Sequence, residues 1–523
     1  MRVSRVASNR RIVLTRRVGW LPTLLADQRG VTALTFAVTF LVFLGMVGLA
    51  TEVGSWYVGW IQAQNAADAA ALAGARAAAD TNATYANANG LCTSSACGDP
   101  MQAAANSAAV NAALQNGYSR GGSAGGFSFT VNTPAPSNSY VNGAAGTSSW
   151  LVNEVQINVA VAATYIASLF TNILPTLTTQ AVAFVNTNTP ACVVSITGDL
   201  TIFSNMGFTP GCMLASNAND ETAITISGAP AINVLGMTAV GSCSPLATCS
   251  SLPVGAGGVG QAFKAYQPAT IIPYKPLDNV AGTPSLPTSA STSSYNLISS
   301  CSVSGFLVPA KGIPGNPTYP PAALPYAYNC PGGMTISSGT LLVMPGTYYF
   351  LNTPLTINGG TIQCTDTAAG GSPVPTGSCI PGNGVTFLLL VDDPTSPAGA
   401  LTIDSSAVFL SANDGSINFG SPDATTSTAN NNSAALGAVM QGVLFYGNGT
   451  GAVNITGGTG AYLNGAIYFP RATINYGSQT IASCTVVVAN TVNLNKTSQT
   501  SFAPGCDAYG TVMPKTQTAN LGG

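Results

Sequence analysis

The chain of 523 residues contains no histidine, and only 6% of its residues are charged. A soluble globular protein carries about 25% charged residues. Without histidine there is no Ser-His-Asp triad, no Cys-His pair and no imidazole metal ligand. No GxxxxGK[ST] phosphate loop occurs either, so the chain is not a nucleotide-driven motor. Paired cysteines at CxxC spacing are also missing, which removes the usual zinc framework. What is abundant is small and uncharged: 58 glycines and long tracts of Ala, Thr, Ser and Asn. Such a composition suits stacked β structure in which outward positions are polar without being ionised.

The few charges are unevenly placed. Residues 1–30 hold seven basic groups (Arg2, Arg5, Arg10, Arg11, Arg16, Arg17 and Arg29) against the single acid Asp27, and the remainder is acidic. A nucleic-acid binder would carry its basic patch on a folded domain, so no nucleic-acid partner is expected. The basic tail instead precedes 22 uncharged residues between Arg29 and Glu52. As a helix these span about 33 Å, enough for a bilayer core. The charge asymmetry predicts a cytoplasmic N-terminus and an exported body. A secretory signal cleaved near Gly48-Leu49-Ala50 is the rival reading. The apolar run is longer than the usual signal core of 7–15 residues, and the helical pattern continues beyond it.

All 12 cysteines lie beyond this segment. In an exported body they suggest disulfides. Pairing by sequence neighbour gives Cys92–Cys97, Cys192–Cys212, Cys243–Cys249, Cys301–Cys330, Cys364–Cys379 and Cys484–Cys506. Spacing alone does not fix connectivity.

Trp56 and Tyr57 fall where an interfacial aromatic belt belongs. Beyond them Ala66, Ala70, Gly74 and Ala78 recur every four residues, beside a second ladder of Ala63, Ala67, Ala71, Ala75 and Ala79. Small side chains on one helix face let another helix approach closely. Arg76 and Asp80 are spaced for an i, i+4 ion pair.

The stretch from Asp27 to Ala75 resembles the N-terminal segment of TadE/TadG-like Flp (tight adherence) pilus-assembly proteins. The resemblance rests on Arg29-Gly30, the small-residue-rich apolar helix, Glu52, Trp56-Tyr57 and the run Gln64 through Ala73. It implies a bacterial inner-membrane protein, with other Tad/Flp proteins docking on the N-terminal helix through its small-residue ladders. Pilin-like relatives are cut after a glycine, with Glu fifth and Phe sixth in the mature chain. Counted from Val31, Phe36 is sixth but the fifth residue is Thr35. The processing register Gly30-Val31 is thus present without its acid. The expectation is an uncleaved leader and a non-fibre component.

Asp99-Pro100 reads as the cap and first position of a second helix ending near Gly117. GGSAGG at 121–126 is a joint, and residues 127–131 and 155–161 alternate as half-buried strands. YIASLFTNIL reads as a short apolar helix, with a strand at QAVAFV. From Cys192 short Leu-Thr-Ile-like strands recur, often about twenty residues apart, with Gly-rich turns. The predicted fold is mainly β: a right-handed parallel β-helix, or solenoid, preceded by a long transmembrane helix and a small α+β region.

The expected organisation has a basic tail (1–29), a transmembrane helix (30–51), Ala-rich helices (52–120), a membrane-proximal strand region (121–190) and first solenoid rungs (191–250). A Pro-rich insertion (251–330), the main solenoid (331–510) and a tail (511–523) follow. The insertion holds 12 of the 33 prolines and reads as a long loop lying over the rungs, or as a tyrosine-bearing binding loop. The C-terminal half also resembles the β-helical region of some TadG-like proteins. The von Willebrand A domain of others is absent, the nearest match being Asp414–Asn418.

Asp392-Asp393 is the only adjacent aspartate pair, and glycosidases use paired carboxylates. Neighbours on a strand point to opposite faces, so adjacency does not place both in one groove. Arg471 is the only arginine after Arg120. The reading is a non-enzymatic protein without cofactor or metal. Its expected surroundings are the inner membrane and the periplasm. The competing class is a surface adhesin whose Thr/Asn rungs bind a glycan.

Overall fold

The computed structural model describes residues 28–89, 95–118, 127–132, 154–162, 176–203, 213–227, 234–250, 261–278, 295–302, 305–313, 316–322, 324–364, 366–367, 373–374, 384–393, 395–410, 440–456, 463–477, 484–495, 506 and 510–522. The basic tail before Gln28, the joint at 121–126, YIASLFTNIL, Arg120 and Asp414–Asn418 lie outside them.

Helix α1 runs from Gln28 to Asn89, 62 residues without a proline, and is about 93 Å long. The expected membrane helix and first Ala-rich helix are therefore one rod. Helix α2 spans Ser95–Gln115. It starts four residues before the expected cap at Asp99, so Pro100 lies inside it. Pro100 falls close to the start, where its missing N–H removes a single intrahelical bond. Gly117, at φ 88°, ends the helix as expected of a left-handed terminator.

Strands β1 (Phe127–Asn132), β2 (Glu154–Ala162) and β3 (Thr176–Ser195) form an antiparallel sheet. The chain's last strand, Lys515–Gly522, pairs antiparallel with residues 182–190 of β3 and completes it. The two helices pack on this sheet with an alanine-rich core of Ala66, Ala70, Ala105, Ala109, Val155 and Ala183, among others.

β3 is 20 residues long and continues past the expected boundary at 190. Its last residues pair in parallel with Thr485–Leu494 on one side and Met213–Ser216 on the other. That joins two groups of strands far apart in sequence. In space the first ladder runs from Asn296–Ile298 through Tyr326–Asn329, Gly346–Leu351, Val385–Leu390, Val443–Gly447 and Gly465–Tyr476 to Thr485–Leu494. It then continues through β3, Met213–Ser216 and Gly236–Ala239 to Gln261–Lys264. A second parallel ladder, from Met334–Ile336 to Cys243–Ser244, follows the same order. A third joins Thr340–Val343, Thr361–Cys364 and Val408–Leu410. The fold is mainly β, and the large sheet is open.

One apolar core includes residues from all three ladders, such as Phe387 and Val487, Leu355 and Ile474, and Leu341 and Phe409. Within it Phe387 stacks on Phe445 at 5.1 Å and on Tyr348 at 5.4 Å, and Tyr328 stacks on Phe350 at 5.5 Å. Parallel, in-register strands set like residues one rung apart, which is what lets these rings stack.

The two outward faces differ. That of the first ladder is apolar and covered. Tyr349, Leu388, Tyr446, Tyr468 and Val488 form a second core with Ile272, Tyr274 and Leu277 from the segment 265–278. The Pro-rich stretch 251–330 is thus divided. It supplies the strands Gln261–Lys264, Asn296–Ile298 and Tyr326–Asn329, and between the first two it lays a strap over the ladder. The outward face of the second ladder is polar. Its positions between the buried apolar residues are Thr335, Thr356, Thr402, Asn454, Asn475, Asn493, Thr201 and Thr225.

Candidate functional site

Of the described residues, only α1 contains a segment long and apolar enough to cross a membrane. Its first half is bare: Leu34, Phe36, Phe40, Leu41, Phe43 and Met46 are each more than half exposed. A water-facing rod of this kind would leave a large apolar surface unsatisfied, whereas a bilayer solvates it. The polar groups along it turn inward. Thr39 Oγ1 donates to the Thr35 carbonyl at 2.8 Å and Thr51 Oγ1 to that of Val47 at 3.0 Å. Such back-bonding hides a hydroxyl from lipid. Trp56, Tyr57 and Trp60 then mark the change of environment.

From Ala63 onward the same helix is buried. Ala66, Ala70, Gly74 and Ala78 are enclosed, as are Ala63, Ala67, Ala71, Ala75 and Ala79. Their partners are this chain's own α2 and sheet. Partner helices are the expected occupants of these ladders; within this chain α2 and the sheet fill the face. The reason is the matching series Ala105, Ala109 and Ala113 on α2, which lets the two backbones close up. At Gly74 a Cβ atom would stand 3.0 Å from Val155 Cγ1 and 3.1 Å from the Ala105 carbonyl oxygen.

Polar clamps fix the seat. Arg76 Nε lies 3.8 Å from Asp80 Oδ2, and Arg76 Nη2 donates to the Val240 carbonyl at 3.3 Å. The Ala269 N–H donates to Asp80 Oδ1 at 2.9 Å. Burial holds the Asp80 carboxyl above its ordinary value, against the pull of that N–H and of Arg76. The fully buried Gln517 donates through Nε2 to the carbonyls of Ala79 (2.9 Å) and Ala269 (2.7 Å), stapling the last strand to helix and strap.

The strap continues alongside α1. Ala83 packs against Ile271, and α1 also contacts the turn Lys275–Asp278. In that turn Asp278 accepts from Tyr468 Oη at 2.7 Å and pairs with Lys275 at 3.1 Å. Burial raises its pKa, opposed by Tyr468, Lys275 and the charge of Arg471. From Val240 to Tyr468 the ladder has advanced several rungs, so α1 and the stack run side by side. The apolar half of α1 therefore projects past the Gln261–Lys264 end.

Residues 30–77 match the family model for Flp pilus-assembly TadE/G-like proteins. The chain carries a TadE/G-like domain. The match covers the bare apolar half of α1 and most of its buried seat. No curated protein and no solved structure matches the chain.

The matched residues also include Gly30 and Val31, the expected processing register. Gly30 and Val31 lie inside α1, two residues past its start. Beyond the domain, disulfides join Cys243 to Cys249, Cys301 to Cys330 and Cys484 to Cys506. Cys192 and Cys364 are also disulfide-bonded. Cys92, Cys212 and Cys379, and the side chain of Cys97, lie outside the described residues.

Asp392 and Asp393 do not converge. Asp392 Oδ2 accepts from Asn352 Nδ2 at 2.8 Å, one rung away. Asp393 Oδ1 accepts from the N–H and hydroxyl of Thr395 at 2.9 and 2.7 Å, an Asx turn that lowers its pKa. The described residues contain no group of three or more metal-ligating side chains. The seat on α2 and the closing role of the last strand were not read from sequence. The Ala105, Ala109, Ala113 repeat was the available signal.

Proposed function

We propose that the chain is a membrane-anchored, non-enzymatic, TadG-like component of a Flp/tight-adherence pilus or secretion apparatus. It sits in the bacterial inner membrane with its N-terminus cytoplasmic and its body in the periplasm. The observation that carries this reading is one unbroken helix, bare and apolar over its first half and seated in a folded body over its second. Six basic residues before it and Arg29 in its first turn support that orientation. The three parallel ladders sharing one core support a right-handed β-helix as the form of the body. The absence of histidine and the turn role of Asp393 support a non-enzymatic body. Partner proteins of the pilus system then meet the bare half of α1, since its ladders are filled.

Fusion of a compartment-sensitive reporter after Asp80 tests the topology: activity only in the cytoplasm refutes it. Loss of pilus assembly on deletion, restored by the full chain and not by the body alone, tests the role. A second reading, a glycan-binding adhesin, draws on the polar face of the second ladder.

A further inference from the structure

We propose that the outward face of the second ladder binds a linear, uncharged glycan strand laid along the stack, the cell-wall strand being the one a periplasmic body meets. The inference rests on the periplasmic placement given above. The face presents two columns. The first includes Thr402, Asn454, Asn475 and Asn493, one residue per rung. The second comes two positions later on each rung and is held in the same register: the Thr456 N–H donates to the Ile403 carbonyl and the Asn495 N–H to that of Tyr476.

Rungs are about 4.8 Å apart and the columns about 7 Å, so eight rungs give a grid roughly 34 Å long. The grid is pre-organised. Asn475 Nδ2 donates to Asn454 Oδ1 at 2.8 Å, and Asn493 Nδ2 to Asn475 Oδ1 at 2.9 Å. An amide has two N–H donors and an oxygen with two lone pairs, so these ladder bonds do not exhaust its hydrogen-bonding capacity. Asn493 is followed one rung on by Thr201, whose strand ends in the exposed ring of Phe203. That ring offers an apolar platform of the kind on which the C–H face of a sugar ring rests.

Charge decides the chemistry of the occupant. Neither column contains Lys or Arg, and Asp404 is the only ionised group in them. An anionic polymer finds no counter-charge there. A polyhydroxylated or acetamido chain meets a hydroxyl or amide of the first column at every rung. The contrast with the first ladder strengthens the assignment, because that outward face is apolar and this chain covers it with its own strap.

The test uses the full chain in detergent micelles, co-sedimented with purified cell-wall sacculi, with crystalline chitin and with alginate beads. The expected result is sedimentation with sacculi that survives about 0.5 M NaCl, where surface charge attraction is screened. The double variant Thr402→Lys, Asn475→Lys should lose roughly tenfold in affinity while still unfolding in one cooperative transition. Failure to sediment with sacculi overturns the proposal, as does equal binding by the variant, binding to chitin alone, or salt-sensitive binding to alginate alone. Asn475→Thr, which keeps a hydrogen-bonding outward side chain, should retain most binding and controls for misfolding. The reporter fusion separates this outcome from failure of the periplasmic placement.

Discussion

Gly74 is the tightest point of the seat between α1 and the body, and its replacement gives a graded test. An alanine there would place Cβ 3.0 Å from Val155 Cγ1, 3.1 Å from the Ala105 carbonyl oxygen and 3.3 Å from Ala109 Cβ. Two of these neighbours belong to α2 and one to β2, so neither side retreats without disturbing the other. Alanine gains about 1 kcal/mol of helix propensity over glycine. Overpacking in a filled core costs about 1–3 kcal/mol. Gly74→Ala should therefore be neutral to about 2 kcal/mol destabilising. Gly74→Val adds two further methyl groups to the same gap and should cost about 3 kcal/mol or more. For a chain of this size each kcal/mol moves the melting temperature by about 2–4 °C or less. The assay is thermal unfolding followed by circular dichroism in micelles, with limited proteolysis between α1 and α2 as a local readout. Gly54 lies on the bare half with nothing within 4 Å of a built Cβ, so Gly54→Ala should be neutral or slightly stabilising. If Gly74→Val melts like the wild type, the seat is not packed as described.

Gln517→Ala leaves the carbonyls of Ala79 and Ala269 without their donor and should cost about 2–4 kcal/mol, read as a lower melting point and faster proteolytic release of the last strand. Asp80 and Asp278 both have raised folded-state pKa values, so their ionisation opposes folding. Their contribution is most favourable below the unfolded value of 3.8 and is lost as pH rises through the raised values. Asp278→Asn should flatten the fall in stability above that pH in a pH series of melts, and an unaltered slope would contradict the assignment. Serine at both Cys301 and Cys330, which close a loop of 29 residues, should cost about 3–4 kcal/mol on the loop-entropy estimate, with the loss appearing first at the Asn296–Ile298 end. Asp393→Ala should release the Asx turn at Thr395, read as faster proteolysis at that turn with the melt of the stack retained.

Local patterns made the elements legible. Leu200-Thr-Ile202, Leu355-Thr-Ile357 and Leu401-Thr-Ile403 each show the buried–outward–buried alternation that the structure displays. The apolar run and its aromatic border announced the first half of α1 for the same reason: composition acts locally. The spatial order of the strands was not legible. Every Leu-Thr-Ile rung offers an equivalent face to its neighbours, so nothing local says that Leu200–Ile202 follows Thr485–Leu494 in space. The order is imposed by β3, which must serve the antiparallel sheet and the parallel ladder at once, and by the strap, which carries the chain back along the stack as far as Tyr446. The destination of the alanine ladders was hidden similarly. α1 and α2 each carry a small-residue face, and only their pairing shows that the partner is internal.

The continuity of α1 has a mechanical consequence for the TadE/G-like domain. No proline interrupts Gln28–Asn89, so the bare half and the seated half share one hydrogen-bonded axis. A flexible tether would let the body tumble against the bilayer. Here instead the seat, the Asp80 and Gln517 clamps and the strap fix that axis to the ladders along several rungs. Because α1 and the stack run side by side, a helix that enters the bilayer also sets the direction of the stack, carrying the Asn296–Ile298 end outward and the Gln261–Lys264 end toward the membrane. A partner that grips the bare half by tilting or drawing the helix would thus move the far end by a lever about ten rungs, or roughly 48 Å, in length. The packing that resists this bending is small-residue contact, which has little side-chain entropy to lose and no long side chains to rearrange. On α1 beyond Trp60 that stiffness comes from the alanine face together with the Arg76 and Asp80 clamps.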